Sequence, residues 1–268
     1  LPFKLTNAQE RTIKEISEDI SLAKPMRRLV QGDVGSGKTV VAAMSMYISA
    51  KNNSQSVLLC PTEVLAEQHF KNFSAWFKNL NIKIELLTGK MPVSKRRGIY
   101  QDLENGEIDI LIGTHAVFQE KVKMKNLGLV VVDEQQRFGV KQRFDLVKKS
   151  SDQIMPHQLF MTATPIPRTL AMTIFADLET SKIEELPPGR KPVETWVYSD
   201  KKKDEIVKRL ENVCKSGNQV FWLCTMIEES ENLDVQAADE AKEWIKENTN
   251  SLNIGLVHSK LSKDQRDK

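Results

Sequence analysis

The sequence has few cysteines, few aromatic residues and no long apolar run. Its 268 residues include 6% aromatic residues and three cysteines, Cys60, Cys214 and Cys224. The cysteines lack paired spacing, which argues against a disulfide scaffold and a zinc site and fits a reducing cytoplasm. No apolar run reaches membrane-spanning length and no signal peptide opens the chain, so we expect a cytoplasmic protein with no membrane partner.

The net charge of the chain is also small, because basic and acidic residues are nearly equal in number. The chain carries 39 Lys and Arg against 36 Asp and Glu, a net charge of +3. Residues 187–268 hold 14 basic and 15 acidic residues, so an excess of +4 lies in residues 1–186. This mild excess is compatible with nucleic-acid binding but does not indicate it.

One stretch matches G-x-x-x-x-G-K-[ST], the phosphate-binding loop of nucleotide hydrolases. It consists of Gly32, Asp33, Val34, Gly35, Ser36, Gly37, Lys38 and Thr39, between a strand-like and a helix-like segment. In this setting backbone N–H groups bind phosphates, Lys38 reaches the β- and γ-phosphates, and the Thr39 hydroxyl contacts Mg²⁺. The alternative is an ordinary glycine-rich turn, which does not require the Gly-Lys-Thr sequence. We therefore predict a nucleoside triphosphate as ligand.

Short β-rich segments alternate with helical patterns over residues 1–186. The predicted strands are 28–31, 56–60, 82–87, 108–112, 128–132 and 157–161, and the predicted helices are 38–51, 63–79, 94–104 and 139–148. Another helix opens at Thr6, where Thr6 and Gln9 fit a capping box. The pattern predicts an α/β fold with a mainly parallel, doubly wound sheet that binds ligands at the carboxyl ends of its strands.

A segment rich in proline, glycine and basic residues, 187–195, is predicted to link a first domain, 1–186, to part of a second, 196–268. The second alternation comprises strand 193–198, helix 201–215, strand 219–224, helix 235–248 and strand 253–257. Because about 75 residues make a marginal core for an α/β unit, we expect the second domain to be incomplete.

Polar side chains follow several predicted strands. Asp133 and Glu134 come after strand 128–132, where hydrolases with this loop hold Mg²⁺ and polarise the attacking water. The alternative is a polar turn, but the loop upstream favours catalysis. Hydroxyls also follow strands, at Thr62, Thr114, Thr162 and Thr164. Each alone suits a helix N-cap, whereas their recurrence favours contacts with nucleic-acid phosphates.

These stretches together resemble superfamily 2 helicases and translocases. The segments 137–143, 164–170 and 187–191 look more closely like the RecG family, bacterial ATP-dependent DNA helicases that remodel stalled forks and branched junctions. The resemblance implies RecA-like lobes, ATP and Mg²⁺ as ligands, and a monomer that binds branched or duplex DNA without sequence preference. The alternatives are a duplex translocase of the transcription-repair coupling factor type and a nucleotide-binding module without motor activity.

The resemblance also implies roles for individual residues. Phe3 and Gln9 would recognise adenine, Thr62, Thr88, Gly89 and Thr114 would hold the DNA backbone, and Thr162 and Thr164 would couple hydrolysis to movement. The catalytic set would be Lys38, Asp133, Glu134 and Gln136. The family has histidine at the last position, and the amide of Gln136 can hydrogen-bond but cannot carry a proton. Later motifs with an arginine finger and a preceding wedge domain are missing, so we expect an ATP-binding motor fragment.

Overall fold

A computed structural model of the chain describes residues 1–134, 155–164, 178–185, 191, 193–224, 231–249, 252–257 and 261. The chain divides into two units, Leu1–Lys191 and Pro192–Lys268, and the division falls within the predicted linker. The assignment of these units to a first helicase lobe and part of a second stays a prediction.

The first unit is built on a parallel sheet of seven strands. The strands are β1 (Arg27–Gly32), β2 (Gln55–Leu59), β3 (Ile84–Leu87), β4 (Ile110–Gly113), β5 (Leu127–Val132), β6 (His157–Thr162) and β7 (Glu179–Ile183). Their order is β3-β4-β2-β5-β6-β1-β7, and every pair is parallel. The described helices of this unit are α1 (Asn7–Ile20), α2 (Lys38–Lys51), α3 (Glu63–Phe77) and α4 (Val93–Asn105), and a 3-10 helix spans His115–Phe118.

The central strands of the sheet are buried on both faces. All five residues of β2 are buried, with Leu58 in one apolar cluster and Val57 and Leu59 in another. The first cluster includes residues of α1, α2 and α3, and the second includes residues of α4. Because successive side chains of a strand point to opposite faces, a strand covered on both sides is apolar at nearly every position.

Helix α1 begins with the predicted capping box. Thr6 Oγ1 accepts from the Gln9 N–H at 3.3 Å, and Gln9 Oε1 accepts from the Thr6 N–H at 3.0 Å. Ile16 is fully buried, and Ile13 and Ile20 pack partly buried against the same cluster. The predicted capping box is therefore confirmed, and the isoleucines of the helix form the face that packs on the core.

The six predicted strands of this unit are confirmed, each within two residues of its observed ends. Predicted helices 38–51, 63–79 and 94–104 correspond to α2, α3 and α4, while 139–148 lies outside the described residues. No sequence pattern predicts β7. Only Ser181 and Ile183 of its five residues are buried, so it lacks an apolar run.

The second unit contains two described helices. They are α5 (Lys203–Lys215), preceded by a 3-10 turn at Asp200–Lys202, and α6 (Glu231–Glu247), as predicted for 201–215 and 235–248. Over the described ranges of the whole chain, no helix combines the length and the apolar character that crossing a bilayer requires.

The predicted strands 193–198, 219–224 and 253–257 are wrong, because these described residues form no strand. Their large apolar residues are exposed, as at Val197 (94%), Phe221 (93%) and Leu223 (84%). An apolar run becomes a strand only where neighbouring strands take its backbone hydrogen bonds and another layer covers it. In the described part of this unit no neighbouring strand pairs with these runs.

All seven strands are parallel, so their carboxyl ends meet at one edge of the sheet, here called the carboxyl edge. In spatial order this edge carries Thr88 after β3, Thr114 after β4, Thr62 after β2, Asp133 after β5, Thr162 at the end of β6, the phosphate-binding loop after β1 and Glu185 after β7. The topology thus brings together chemistry that is dispersed over more than a hundred residues of sequence.

Candidate functional site

The phosphate-binding loop joins β1 to α2 at the carboxyl edge. Gly35 and Gly37 have φ values of 77° and 92°, in the left-handed region that residues with a Cβ rarely adopt. At Gly32 a side chain would collide with Ser36 Oγ and the backbone oxygen of Ile183. The backbone path of the loop therefore requires these glycines.

Lys38 opens α2 and folds back over the loop. Its Nζ donates to Gly32 O at 2.6 Å and to Asp33 O at 3.0 Å. Burial lowers the pKa of Lys38, and the carboxylates of Glu134, Asp133 and Asp33 partly oppose this effect. The ammonium is thus within electrostatic reach of the two acids that follow β5.

The loop also holds a buried polar group without a partner. Ser36 is 1% exposed, and its Oγ has no hydrogen-bond partner in the described structure. Gly37 is the N-cap of α2 and has no side chain to accept from the first N–H groups of the helix. Such N–H groups attract phosphate. Together with Lys38, these donors fit the phosphate groups of a nucleotide.

Of the two residues predicted to recognise adenine, Gln9 contacts the loop and Phe3 packs on α3. Gln9 is 3% exposed, and its Nε2 donates to Ser36 O at 2.8 Å. The Phe3 ring lies edge-to-face with Trp76, with 5.8 Å between the ring centroids, and is 45% exposed. The role of both residues toward a base stays a prediction.

Contacts with β1 and with the segment that contains β7 hold both ends of α1. The Glu185 carboxylate accepts from the Ala8 N–H at 3.1 Å. Arg28 of β1 is buried and donates to Asp19 of α1 at 2.7 Å and to Ser181 of β7 at 2.8 Å. The unpredicted strand β7 therefore fixes the helix whose glutamine touches the phosphate-binding loop.

Asp133 and Glu134 occupy the centre of the carboxyl edge, after β5. Asp133 is 8% exposed, and its N–H donates to Leu59 O at 2.9 Å, which extends the pairing with β2. Its Oδ1 accepts from the Glu134 N–H at 3.1 Å. Glu134 has a φ of 50°, uncommon for a residue other than glycine, so the chain turns sharply here. Gln136 lies outside the described residues.

Sequence reasoning missed His69, which contacts Asp133. His69 Nε2 lies 2.9 Å from Asp133 Oδ2, and His69 is 6% exposed. A signal was present, since Ala66, His69 and Phe73 follow the spacing of one helix face and all are buried. That spacing predicts burial of the imidazole, but it does not reveal a partner 64 residues further along the chain.

Thr39 and Asp133 are the residues predicted to hold Mg²⁺. Within the described ranges, no group of three or more His, Cys, Asp or Glu side chains could hold a metal ion. Mg²⁺ usually keeps several waters and binds through one or two carboxylates plus substrate phosphates. One hydroxyl and one carboxylate beside a phosphate-binding loop therefore suit Mg²⁺ that arrives with a nucleotide.

The residues predicted to hold the DNA backbone follow three neighbouring strands, β3, β4 and β2. Thr62 is the N-cap of α3, and its Oγ1 accepts from the Leu65 N–H at 3.3 Å. Thr88 and Thr114 are 8% and 7% exposed, whereas Gly89 is exposed. The hydroxyl of Thr62 thus serves as the helix cap that we weighed as an alternative, and its role toward DNA stays a prediction.

Thr162 and Thr164, the predicted coupling residues, contact each other after β6. Their Oγ1 atoms are 2.9 Å apart, and the Thr164 N–H donates to Thr162 Oγ1 at 3.1 Å. Strand β6 lies between β5 and β1. At the carboxyl edge the pair therefore lies between Asp133, which follows β5, and the phosphate-binding loop, which follows β1.

Curated proteins described as ATP-dependent DNA helicase RecG are similar to this chain over nearly its whole length. The identity is 48% over 268 residues with the protein of Haemophilus influenzae and 50% over 263 residues with that of Escherichia coli (strain K12). These alignments cover 99% and 97% of this chain but 39% and 38% of the relatives. The chain thus spans well under half of their length.

A solved structure described as RecG bound to a three-way DNA junction is also similar. The match covers 92% of this chain and 32% of the chain in that structure, with 39% sequence identity and a TM-score of 0.77. The family of helicases described as DEAD/DEAH box matches residues 6–173, more than half of the chain. The match contains the phosphate-binding loop, Asp133-Glu134 and Thr162–Thr164. The chain belongs to the DEAD/DEAH box helicase family.

Proposed function

We propose that the full-length protein carrying this chain is an ATP-dependent DNA helicase that remodels branched DNA, and that this chain supplies its ATP-binding motor part. The observation that carries the proposal is the arrangement of the carboxyl edge. The phosphate-binding loop and two acids lie at one part of this edge, and the loops after β3, β4 and β2 lie beside them. Similarity to RecG, including a RecG structure described as bound to a DNA junction, supports the branched substrate.

Residues of the phosphate-binding loop bind the triphosphate in this proposal. The Lys38 ammonium, which now donates to two loop carbonyls, moves its hydrogen bonds to the β- and γ-phosphates. Thr39 and Asp133 would hold Mg²⁺, and the ion would supply positive charge beside the phosphates. Gln9 keeps its bond to Ser36 O and stabilises the loop from behind.

Glu134 orients the attacking water and accepts its proton. The backbone of Glu134 has a φ of 50°, which turns the chain directly after Asp133, and in this proposal the two neighbouring acids take different roles. Lys38 feels the charge of both carboxylates. Gln136, the fourth residue of the predicted catalytic set, lies outside the described residues, and its amide could donate or accept a hydrogen bond but could not carry a proton.

The loops that carry Thr62, Thr88, Gly89 and Thr114 contact the sugar-phosphate backbone of DNA. Hydroxyl and backbone N–H donors fix the register of a nucleic acid but carry no sequence information. The Thr162–Thr164 pair follows β6, between the acids after β5 and the phosphate-binding loop after β1, and transmits nucleotide state to the loops that contact DNA. Residues 1–186 would form the first RecA-like lobe, 187–195 the linker and 196–268 part of the second lobe of a bacterial, cytoplasmic, monomeric protein.

The test compares ATP hydrolysis and unwinding by the full-length protein with fork, linear duplex and single-stranded DNA. We expect the strongest stimulation with the fork and no turnover for Lys38→Ala, because each charge-assisted hydrogen bond contributes about 1.5–3 kcal/mol. Lys51→Ala, on the same helix but exposed, is the matched control. Equal stimulation by linear duplex without fork unwinding would instead favour a translocase of the coupling-factor type.

A further inference from the structure

We propose that His69 is a positioning residue that holds the Asp133 carboxylate in the one orientation suited to Mg²⁺. The inference rests on the proposed ATP-dependent function, since Asp133 matters only if a metal–nucleotide complex binds here. His69 belongs to α3, outside both the phosphate-binding loop and the acidic pair, and its contact crosses from a helix to the end of β5.

The contact between the two side chains is short and buried. His69 Nε2 and Asp133 Oδ2 are 2.9 Å apart, and the two side chains are 8% and 11% exposed. The other carboxylate oxygen, Oδ1, accepts from the Glu134 N–H at 3.1 Å. One donor on each oxygen fixes the plane of the carboxylate. Without His69, the Glu134 N–H would be the one remaining donor to this carboxylate among the hydrogen bonds of the described residues.

The hydrogen-bonding pattern assigns the tautomer of His69. Its Nδ1 is buried and has no hydrogen-bond partner in the described structure. A carboxylate oxygen can only accept, so the 2.9 Å contact with Asp133 Oδ2 requires a proton on His69 Nε2. His69 Nε2 is therefore the donor of this hydrogen bond, and Asp133 Oδ2 is its acceptor.

The packing of α3 keeps the imidazole in place. Its ring lies edge-to-face with that of Phe73, 6.2 Å between centroids, and Phe73 stacks on Trp76. Ala66 and Phe73 belong to the buried face of the same helix. Helix α3 begins at the N-cap Thr62, about 10 Å along the axis from His69 at 1.5 Å per residue. One rigid helix thus joins a predicted DNA contact to the carboxylate of the metal site.

This arrangement is the usual way in which proteins tune a metal ligand. A partner that orients a ligating side chain typically contributes 10–100-fold to metal affinity or activity. A purely structural His69 would instead affect folding and leave the metal dependence of nucleotide binding unchanged. The two possibilities therefore differ in a quantity that can be measured without any turnover.

The experiment measures the affinity of the full-length protein for adenylyl imidodiphosphate by calorimetry, in Mg²⁺ and in EDTA. We expect His69→Leu to reduce the Mg²⁺-dependent gain in affinity roughly tenfold and to leave the affinity in EDTA unchanged. His69→Gln, whose amide N–H can reach as far as Nε2, should retain most of the gain. His69→Asn, which is too short to reach Asp133, should behave like His69→Leu and replaces it if the leucine variant fails to fold.

Phe77→Leu is the matched control, because it weakens the same buried face of α3 two turns further from the site. It should lower the thermal unfolding midpoint and keep the full Mg²⁺-dependent gain. An unchanged gain in His69→Leu and His69→Asn, or an equal loss in His69→Gln, would overturn the inference alone. Wild-type protein without any Mg²⁺-dependent nucleotide binding would overturn the proposed function, and the role of His69 with it.

Discussion

At the scale of single residues, the phosphate-binding loop depends on the absence of side chains at a few positions. Gly37 has a φ of 92°, and a Cβ there would overlap the amide of Gln9. This is the amide that donates to Ser36 O. Gln9 can approach the loop this closely only because Gly37 has no Cβ. The loop and the start of α1 are therefore sterically complementary.

Gly37→Ala should therefore weaken ATP binding strongly and lower the unfolding midpoint. The alanine adds left-handed strain of about 1–2 kcal/mol and also displaces Gln9. Gly217→Ala is the control, since Gly217 has a similar φ of 84° with nothing within 4 Å of the added Cβ. It should show the backbone strain alone and keep normal nucleotide affinity by calorimetry. Equal effects of the two variants on affinity would contradict the role of Gln9.

Much of this site could be predicted residue by residue because its motifs are local. The phosphate-binding loop can be recognised from eight consecutive residues. Asp133 and Glu134 directly follow the apolar strand β5. His69 could not be found in this way. Its role depends on Asp133, which lies 64 residues further along the chain and which only the tertiary fold brings to 2.9 Å from His69.

At the scale of elements, burial explains which strands the sequence predicts. Strands β2 and β5 are apolar on both faces and are visible as continuous runs. Strand β7 has only two buried residues among five, so no apolar run in the sequence predicts it, although it anchors α1. Conversely, the run Val220–Cys224 has the composition of a strand, but no strand pairs with it in the described structure. Strand pairing depends on the whole sheet and not on the composition of one segment.

The anchor of α1 should be a large contributor to stability. The Arg28 side chain is 10% exposed and lies 2.7 Å from Asp19 and 3.4 Å from Glu15. Arg28→Ala leaves the partly buried carboxylate of Asp19 without its cation and leaves Glu15 with Arg11 alone, so we expect a loss of about 3 kcal/mol in the free energy of unfolding. Lys14→Ala removes the exposed pair with Glu18 and should cost about 0.5 kcal/mol or less. Denaturant titration of both variants measures the difference, and similar losses would refute the anchoring role.

The start of β6 should make stability depend on pH. His157 Nδ1 accepts from the Met26 N–H at 2.9 Å, and burial lowers the pKa of this imidazole below 6.5, partly opposed by Asp19. The unfolded state therefore binds the proton more readily, so this contribution is complete above pH 6.5 and is lost as the pH falls below it.

His157→Asn tests this pH dependence, because an amide oxygen can accept from the Met26 N–H without titrating. The decline in unfolding midpoint between about pH 7 and 5.5 should become shallower in this variant than in the wild type. Thermal unfolding at several pH values measures both slopes. Identical slopes would assign the pH dependence to other groups.

At the scale of the whole molecule, the distribution of charge limits how this chain can bind DNA. The excess positive charge on residues 1–186 is +4, and the donors assigned to DNA are hydroxyls and backbone amides at the carboxyl edge. These groups recognise phosphates but not bases. More than half of the length of each relative lies outside the region that matches this chain. That additional length has room for the residues that recognise a branch.

We therefore expect this chain alone to bind DNA weakly and without preference for a fork. With at most about four phosphates neutralised, the plot of log K against log salt should have a slope of about −4 or shallower. Titrations of labelled fork and linear duplex at several salt concentrations measure the slope and the preference together. The full-length protein, titrated in parallel, should prefer the fork. If the chain alone bound the fork selectively and did so at high salt, recognition of the branch would belong to the carboxyl edge itself, and the division between motor and branch recognition would fail.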